Sequence, residues 1–543
     1  MHRSGTGFTM RFMALLPRWF PQSGWKRWLL LSVLTAVFGM ATLVVSAYLL
    51  FKIPRVQMWV FSTFMIRGMD KPGQEPGEPR LSEEDSRKLA SRGDSPLLPE
   101  RLFSASEVWP VELAFTGRQW ETMKPQKVPP IPNFMQPDGT IVLRNPKASR
   151  NGLAGVLGID LPWSTGTFDF AGERFTNAAI RFKGNGTFLA GIGSYKRPFK
   201  VQLDRGEPGR AMAGRAIFNF GNLLADRSSL SDALGYEFFR EAGVAAPRTA
   251  FARLLISIEG RFQRRLLGLY VMVENPDGQW ARERFGRDGY TLFKPVTMEL
   301  FKDLGNDWAA YEGIYDPKTE IQESAKKRVM DLAKLVTHAQ DQDFSTQIAD
   351  FVDLKQFATF MACETLLANY DGLLSNGQNF LLYLDPVTHR FGWIPWDLDH
   401  AWGEFPFIGT AEKRERSSID KPWIAPNRFL DRVFAVGSFK KTYREELRRL
   451  LDSQFNSQRL SRRLDGLAAA IRPFVGEESS ERLAKFNQAV SGEWNEGPRD
   501  GNPMDQNHPV YQVKRFFAAR EQSVRAQLEG REEGVILVRQ DYK

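Results

Sequence analysis

The sequence contains little that binds a metal through sulfur or imidazole. Its 543 residues include one cysteine, Cys363, so no intramolecular disulfide is possible and zinc sites built on paired cysteines are excluded. The five histidines are scattered without an HExxH or HxH pattern, which argues against a histidine metal centre. A GxxxxGK[ST] phosphate loop and internal repeats are also missing. Any metal site is therefore expected to use oxygen ligands.

Acidic residues are missing from the first 60 residues, which carry seven basic ones. The formal net charge is +9, and these seven basic residues account for most of it, so the rest of the chain is nearly neutral. It therefore lacks the basic excess that is typical of nucleic-acid-binding proteins. Residues 28–51 are an uncharged run of 24, and at about 1.5 Å per residue such a helix spans a hydrocarbon layer about 30 Å thick. A cleaved signal peptide is the competing interpretation, but the length of the run favours an uncleaved anchor in the cell membrane.

The basic residues before this run predict a cytoplasmic N-terminus, residues 1–27, with the bulk of the chain translocated. Residues 52–105 contain a stretch rich in Pro, Gly and charge, which is typical of a linker. Residues 106–530 are predicted to form one domain, whose first part, to about residue 295, is rich in strand patterns and whose second part, 296–530, is mainly helical. The expected fold is α+β with two lobes.

A segment rich in glycine and lysine lies in the strand-rich part, where residues 181–204 read RFKGNGTFLAGIGSYKRPFKVQLD. Gly184 and Gly186 would let backbone N–H groups approach an anion, and Lys196 and Lys200 could neutralise phosphate. The run FKVQL alternates as a strand does, which puts Lys200 on the face opposite Phe199. The competing interpretation is a β-hairpin with a flexible glycine turn and solvated lysines.

A second segment, residues 369–403, reads NYDGLLSNGQNFLLYLDPVTHRFGWIPWDLDHAWG and predicts a hairpin flanked by oxygen ligands. Asp371, Asn376 and Asn379 precede its first strand, and its second strand ends at Asp397 and Asp399. A hairpin brings these side chains together, as magnesium and phosphate chemistry require.

The spacing in this segment is that of a protein-kinase catalytic loop. Kinases place a metal-binding Asn five residues after the catalytic Asp, as Asn376 follows Asp371, and a metal-binding Asp after the hairpin, as at Asp397. The HRD and DFG triplets are not present, and an Asp/Asn-rich turn joining two core strands is the alternative. The order of the two segments is that of a two-lobed nucleotide phosphotransferase with its site between the lobes.

Four segments together resemble the spore-coat protein H (CotH) kinase family. They are IRFKGNGTF…SYKRPFKVQLD, DRSSLSDALGYEFFREAGVAAPRTAFARLLI, GLYVMVENPD and NFLLYLDPVTHRFGWIPWDLDHAWG. The resemblance covers roughly residue 108 to about residue 475. The resemblance implies an atypical protein-kinase-like fold that uses ATP with Mg²⁺ or Mn²⁺ to phosphorylate other proteins. The glycine segment departs from the family's usual RGNSS, since it reads KGNGT here.

The same resemblance implies roles for individual residues. Asp371 would accept the proton of the substrate hydroxyl, and Asp397 and Asp399 would bind the metal together with Asn379 or Asn376.

The cofactor's phosphates would lie against the glycine segment. Lys200 in its strand is the first choice for the phosphate ligand and Lys196 the second, beside Gly184 and Gly186. Glu274 would contact the ribose or base.

The predicted function is therefore that of a membrane-anchored phosphotransferase acting on Ser/Thr of a protein or on another hydroxyl acceptor. A non-catalytic envelope or assembly protein that retains the fold is the alternative, and a calcium-stabilised surface protein is a third. The oligomeric state is not predicted.

Overall fold

The computed structural model describes residues 63, 66–70, 75–78, 83–91, 97–131, 144–424, 426–493 and 511–538. All of them belong to one unit, Ser62–Lys543. The predicted N-terminal segment 1–27 and membrane segment 28–51 lie outside the described residues. Within the described ranges, no helix has the length and apolar character needed to cross a membrane.

Twelve strands and seventeen helices are named within the described residues. The strands are β1 (Val108–Phe115), β2 (Gln126–Lys127), β3 (Ile159–Asp160), β4 (Ser164–Phe170), β5 (Glu173–Phe182), β6 (Phe199–Gln202), β7 (Ile217–Gly221), β8 (Thr249–Ile258), β9 (Phe262–Glu274), β10 (Thr291–Phe293), β11 (Phe380–Leu384) and β12 (Phe391–Pro395). The helices are α1 (Glu83–Ala90), α2 (Pro99–Leu102), α3 (Gly117–Met123), α4 (Leu153–Val156), α5 (Gly186–Ala190), α6 (Ser231–Glu241), α7 (Gly278–Phe285), α8 (Ala309–Tyr315), α9 (Glu323–His338), α10 (Asp341–Phe351), α11 (Leu354–Leu367), α12 (Ala411–Glu415), α13 (Arg428–Ala435), α14 (Gly437–Asp452), α15 (Ser457–Glu478), α16 (Ser480–Val490) and α17 (Val513–Leu528).

The strand-rich part closes into a barrel in the order β1-β4-β5-β6-β7-β9-β8. Its neighbours pair antiparallel except β1 and β8, which run parallel. Aromatic rings fill the interior, where the centroids of Phe168, Phe170 and Phe218 lie 5.5–5.9 Å apart. The predicted alternation in β6 is confirmed, since Phe199 is buried and Lys200 is only partly so.

The predicted acidic hairpin is confirmed as β11 and β12, with β10 added to form a three-stranded antiparallel sheet. Phe380 at the start of β11 pairs with Pro395 at the end of β12, and the end of β10 lies on the other side of β11. Lys294 after β10, Asn379 before β11 and Asp397 after β12 therefore leave the sheet at the same edge.

The second part of the domain is mainly helical, so the predicted mixture of a strand-rich and a helix-rich part is confirmed. Helix α11 is buried along almost its whole length and packs against α14, α17 and the hairpin strand β12, where the rings of Phe357 and Trp393 lie 4.1 Å apart. Helix α11 also contacts α6, which follows β7 in the chain, so the two parts share one core.

Part of the stretch expected as a linker packs on the barrel. Helix α1 contacts β1 and β4, and Asp70 forms a buried ion pair with Arg197 at 2.9 Å while accepting a hydrogen bond from Trp120 at 2.7 Å. A fully buried guanidinium needs a counter-charge, and Asp70 supplies it, which holds this stretch against the barrel.

Candidate functional site

Asp371 lies in the turn that connects α11 to β11, and amide groups surround its carboxylate. Asn376 Nδ2 donates to its Oδ1 at 2.7 Å, Asn379 Nδ2 donates to its Oδ2 at 3.0 Å, and Gln378 Nε2 is 3.4 Å from Oδ1. Ala368, which ends α11 with a φ of 45°, turns the chain back toward β11. The structure thus brings together Asp371 and both asparagines that the sequence indicated.

Asp397 follows β12 in a left-handed conformation, with a φ of 57°, which is unfavourable for a residue other than glycine. Two side chains of α6 stabilise this turn. Tyr236 Oη accepts from the backbone N–H of Asp397 at 2.8 Å, and Asp232 Oδ1 accepts from the backbone N–H of Leu398 at 2.8 Å. Because Asp232 and Tyr236 are four residues apart, they lie on one face of α6. A helix that follows the barrel strand β7 therefore sets the conformation of the acidic turn.

Four carboxylates are close enough at this turn to affect one another's protonation. Burial, together with Asp399 and Asp397, raises the pKa of Asp232 well above its ordinary value. Burial, Asp397 and Asp371 do the same to the pKa of Asp399. Burial also raises the pKa of Asp371, against the opposing effect of His400. A bound cation would remove this repulsion, which makes the turn a candidate cation site.

His400 completes a compact set of ligand atoms. One ligand atom each from Asp371, Asp399 and His400 lies within 4.8 Å of the other two. The sequence pattern argued against a histidine metal centre because no second histidine stands nearby, so this residue was missed. Its position directly after Asp399 was the one signal that could have pointed to it.

A group of lysines lies beside the carboxylates. Lys183 follows β5, Lys200 lies on β6 and Lys294 follows β10. Burial and the neighbouring cations, chiefly Arg181, lower the pKa of Lys200 to about 7. Burial also lowers the pKa of Lys294 to about 8, although Asp397 opposes the shift. Burial and mutual repulsion disfavour the charged forms of these lysines, so a bound anion would stabilise them.

The two groups meet at Trp396, the residue before Asp397. Lys294 Nζ lies 5.3 Å and Lys183 Nζ 5.9 Å from the centre of this indole ring. Lys183 also lowers the pKa of Asp399. Carboxylates for a cation and lysines for an anion are thus side by side, as a metal-bound polyphosphate requires.

Lys196 is not part of this lysine group. Its Nζ donates to both oxygens of Glu478, at 2.5 and 2.6 Å, and Glu478 also accepts from the backbone N–H of Leu269 at 2.8 Å. The ion pair joins the segment before β6 to the end of α15. Of the two lysines suggested by the sequence, only Lys200 belongs to the lysine group, close to Lys183 and Lys294.

Glu274 is enclosed by donors and offers no free face to a nucleotide. It is fully buried, and its oxygens accept from Arg215, Arg248, Arg284 and Trp280 at 2.7–3.2 Å. Despite burial, these hydrogen bonds and charges, led by Arg248, lower its pKa to about 2. Its carboxylate therefore balances the arginines that surround the end of β9.

Gly184 and Gly186 lie in the connection between β5 and β6. Gly184 has a φ of 78°, and its carbonyl accepts a hydrogen bond from Arg150, so the left-handed backbone there requires glycine. Gly186 opens the short helix α5, and an added Cβ there would meet no atom within 4 Å. A flexible glycine turn was the competing interpretation of this connection, which instead contains a helical turn shortly after Lys183.

Asp232, Tyr236, Lys183 and Lys294 were also missed as site residues. The first two stand in the segment DRSSLSDALGYEFF, and Lys183 stands within the glycine segment, so the family resemblance contained them without indicating their role. Lys294 follows a strand of three residues and gave no signal.

Comparison with known proteins identifies the family of the chain. The family model described as "CotH kinase protein" matches residues 180–508, which is more than half of the chain. The protein belongs to this family. Inner spore coat protein H of Bacillus subtilis (strain 168) is 26% identical over 295 residues, which cover 53% of this chain and 77% of that relative.

Proposed function

We propose that the protein is a membrane-anchored, metal-dependent kinase-like phosphotransferase. It would transfer the γ-phosphate of ATP to a Ser or Thr of a protein, or to another hydroxyl acceptor. The observation that carries this proposal is the position of Lys183 and Lys294 at Trp396, beside Asp399 and Asp397, with Lys200 close to both lysines. The description of the family as "CotH kinase protein" also supports it.

The cation would be Mg²⁺ or Mn²⁺, bound by Asp397 and Asp399 with one asparagine. Asn376 Oδ1 already accepts from Ser375 Oγ at 3.1 Å, whereas the described residues offer Asn379 Oδ1 no hydrogen bond. Asn379 is therefore the better candidate, since its amide nitrogen is held by Asp371 and its oxygen is left for the ion. When bound, the metal would neutralise charge on the β- and γ-phosphates.

The phosphates themselves would be held by Lys200, Lys294 and Lys183. Lys200 lies on β6, and Lys294 and Lys183 directly follow β10 and β5, so three separate strands contribute to the proposed anion site. The arrangement leaves Lys196 and Glu274 with structural roles, because other side chains already satisfy their charges.

Asp371 would be the group that accepts the proton of the hydroxyl acceptor. A carboxylate has about four acceptor positions, so the hydrogen bonds from Asn376, Asn379 and Gln378 leave capacity for one more donor. A raised pKa makes Asp371 a stronger base than an exposed aspartate, which suits proton acceptance.

A non-catalytic envelope or assembly protein with the same fold is the second candidate. The observation in its favour is that both oxygens of Asp371 already accept from asparagine side chains, so this carboxylate also has a structural role. Such a protein would bind ATP with a metal, or neither, and would transfer no phosphate.

The membrane anchor and the extracytoplasmic position of the domain belong to the same proposal. They rest on the uncharged run 28–51 and the basic residues before it. Sedimentation of the full chain with membranes, and its release by detergent but not by high salt, would support them. Release by salt alone would contradict an integral anchor.

The decisive experiment is calorimetry of ATP binding by the full chain in detergent, with Mg²⁺, with Mn²⁺ and with neither. We expect metal-dependent binding that Asp397→Asn abolishes and that Asp343→Asn, an exposed aspartate in α10, leaves unchanged. Transfer of labelled γ-phosphate to a general protein substrate would then separate the two candidates. Absence of ATP binding by a folded chain would overturn both the kinase proposal and its ATP cofactor.

A further inference from the structure

His400 differs chemically from the other candidate ligands at the acidic turn. It directly follows Asp399, its ring lies edge-on to Phe405 with centroids 5.5 Å apart, and one of its nitrogens is within 4.8 Å of ligand oxygens of Asp371 and Asp399. The set is two carboxylate oxygens and one imidazole nitrogen.

This set is close to the size of a single coordination sphere. With metal–ligand bonds of about 2.2 Å, two ligands of one ion are separated by at most about 4.4 Å. The observed limit of 4.8 Å is slightly larger, so a small side-chain rotation would bring His400 and Asp399 onto one ion, with Asp371 beside it as the proton acceptor. An imidazole adds a ligand without adding negative charge, and Asp397 and Asp399, the carboxylate ligands of the proposed function, balance a divalent cation.

We propose that His400 is a direct metal ligand that makes the site select Mn²⁺ over Mg²⁺ and Ca²⁺. This inference deepens the proposed function and rests on it for the position of the metal. Mg²⁺ and Ca²⁺ take oxygen ligands almost exclusively. Imidazole binds first-row transition ions more strongly, so a single nitrogen shifts the preference toward Mn²⁺ and the ions that follow it in the series. His400 thus acts as a residue that determines metal specificity.

The test uses the full chain with Mn²⁺ as the probe, without nucleotide. Pulsed electron paramagnetic resonance detects ¹⁴N coupling when an imidazole nitrogen is bound to Mn²⁺, and we expect it in the unaltered protein. His400→Asn should remove this coupling, because an amide oxygen replaces the nitrogen. The same variant should reduce the ratio of Mn²⁺ affinity to Mg²⁺ affinity by about tenfold, measured by competition titration.

His389→Asn is the matched control. His389 lies in the turn between β11 and β12, at the opposite end of the hairpin, and its φ of 54° is one that asparagine tolerates. Its backbone, rather than its ring, makes the hydrogen bonds to Asp385 and Arg328. We expect this variant to keep both the ¹⁴N coupling and the affinity ratio. Thermal unfolding without metal checks that both variants are folded.

Two results would overturn the inference. Bound Mn²⁺ without ¹⁴N coupling in the unaltered protein would show that His400 is not a ligand, and an unchanged affinity ratio in His400→Asn would show that it does not select the metal. Metal-dependent ATP binding in either case would leave the proposed function standing. Conversely, ¹⁴N-coupled Mn²⁺ in a chain that binds no ATP would support the ligand and contradict the kinase proposal. A folded chain that binds neither Mn²⁺ nor Mg²⁺ would contradict both.

Discussion

Lys196 donates to both carboxylate oxygens of Glu478, at 2.5 and 2.6 Å, although 282 residues separate them in the chain. Both side chains are only about one-tenth exposed, so the pair is shielded from water. Lys200, four residues later on β6, lies instead 3.5 Å from Asn275 Oδ1. Two lysines of one short segment therefore have different partners, and the difference can be tested by replacing each in turn.

Lys200→Met and Lys196→Met should have opposite effects. The first should weaken metal-dependent ATP binding at least about tenfold in calorimetry while leaving thermal stability equal or higher, because it removes a cation held among cations. The second should lower the free energy of unfolding by about 3 kcal/mol, because it leaves Glu478 buried without its partner. Equal loss of ATP binding in two folded variants would contradict this division.

Asp399→Asn should stabilise the metal-free protein and remove its response to metal. The carboxylate is buried beside Asp397 and Asp371, so a neutral amide relieves repulsion, by roughly 1 kcal/mol on the scale of such substitutions. Thermal unfolding with and without Mn²⁺ measures both effects. A variant that is less stable without metal than the unaltered protein would show that repulsion at Asp399 is not significant.

Tyr236→Phe should weaken metal binding although Tyr236 is not itself a ligand. Loss of its hydroxyl leaves the backbone N–H of Asp397 without its acceptor and loosens the left-handed turn. We expect metal affinity to fall about tenfold, the scale of losses from residues that orient ligands. Tyr443→Phe is the control, because this buried hydroxyl bonds Thr365 and Ile419 instead. Equal metal affinity in both variants would argue against a positioning role.

ATP binding should be accompanied by proton uptake at pH 8 but by little at pH 6. Lys200, with its pKa lowered to about 7, is largely neutral at pH 8 in the free protein, and bound phosphate favours its charged form. Affinity should accordingly fall as the pH rises above 7. Calorimetry in buffers of different ionisation enthalpy measures the uptake. Lys200→Met should abolish most of it, and unchanged uptake in that variant would assign the proton elsewhere.

Glu364 in α11 should make the protein less stable as the pH rises. Burial raises its pKa from 4.5 to about 8, against the opposing hydrogen bond from Asn369. The folded state therefore holds this proton more tightly than the unfolded state, and the resulting stability is complete below pH 4.5 and lost as the pH rises through 8. Relative to Glu364→Gln, the loss should reach roughly 5 kcal/mol at most. Parallel unfolding curves of the two proteins across this window would contradict it.

Much of the fold was predictable because local patterns determine it. The alternation in β6 placed Lys200 and Phe199 on opposite faces, and the apolar runs around a turn predicted the hairpin of β11 and β12. Closure of the barrel was not predicted, since β1 pairs in parallel with β8, more than a hundred residues later, and no local pattern encodes such a pairing. The folded helix α1 within the expected linker was not predicted either.

For the site, the sequence by itself determined that Asp371, Asn379 and Asp397 flank one end of the hairpin, because the pairing of β11 with β12 brings their ends to one edge. It could not distinguish Lys196 from Lys200, since the choice depends on Glu478, which a distant helix supplies. Nor could it show that Glu274 is enclosed by arginines or that His400 faces Asp371. Only the tertiary structure decided these points, because a buried charge takes its role from whichever side chain packing places beside it.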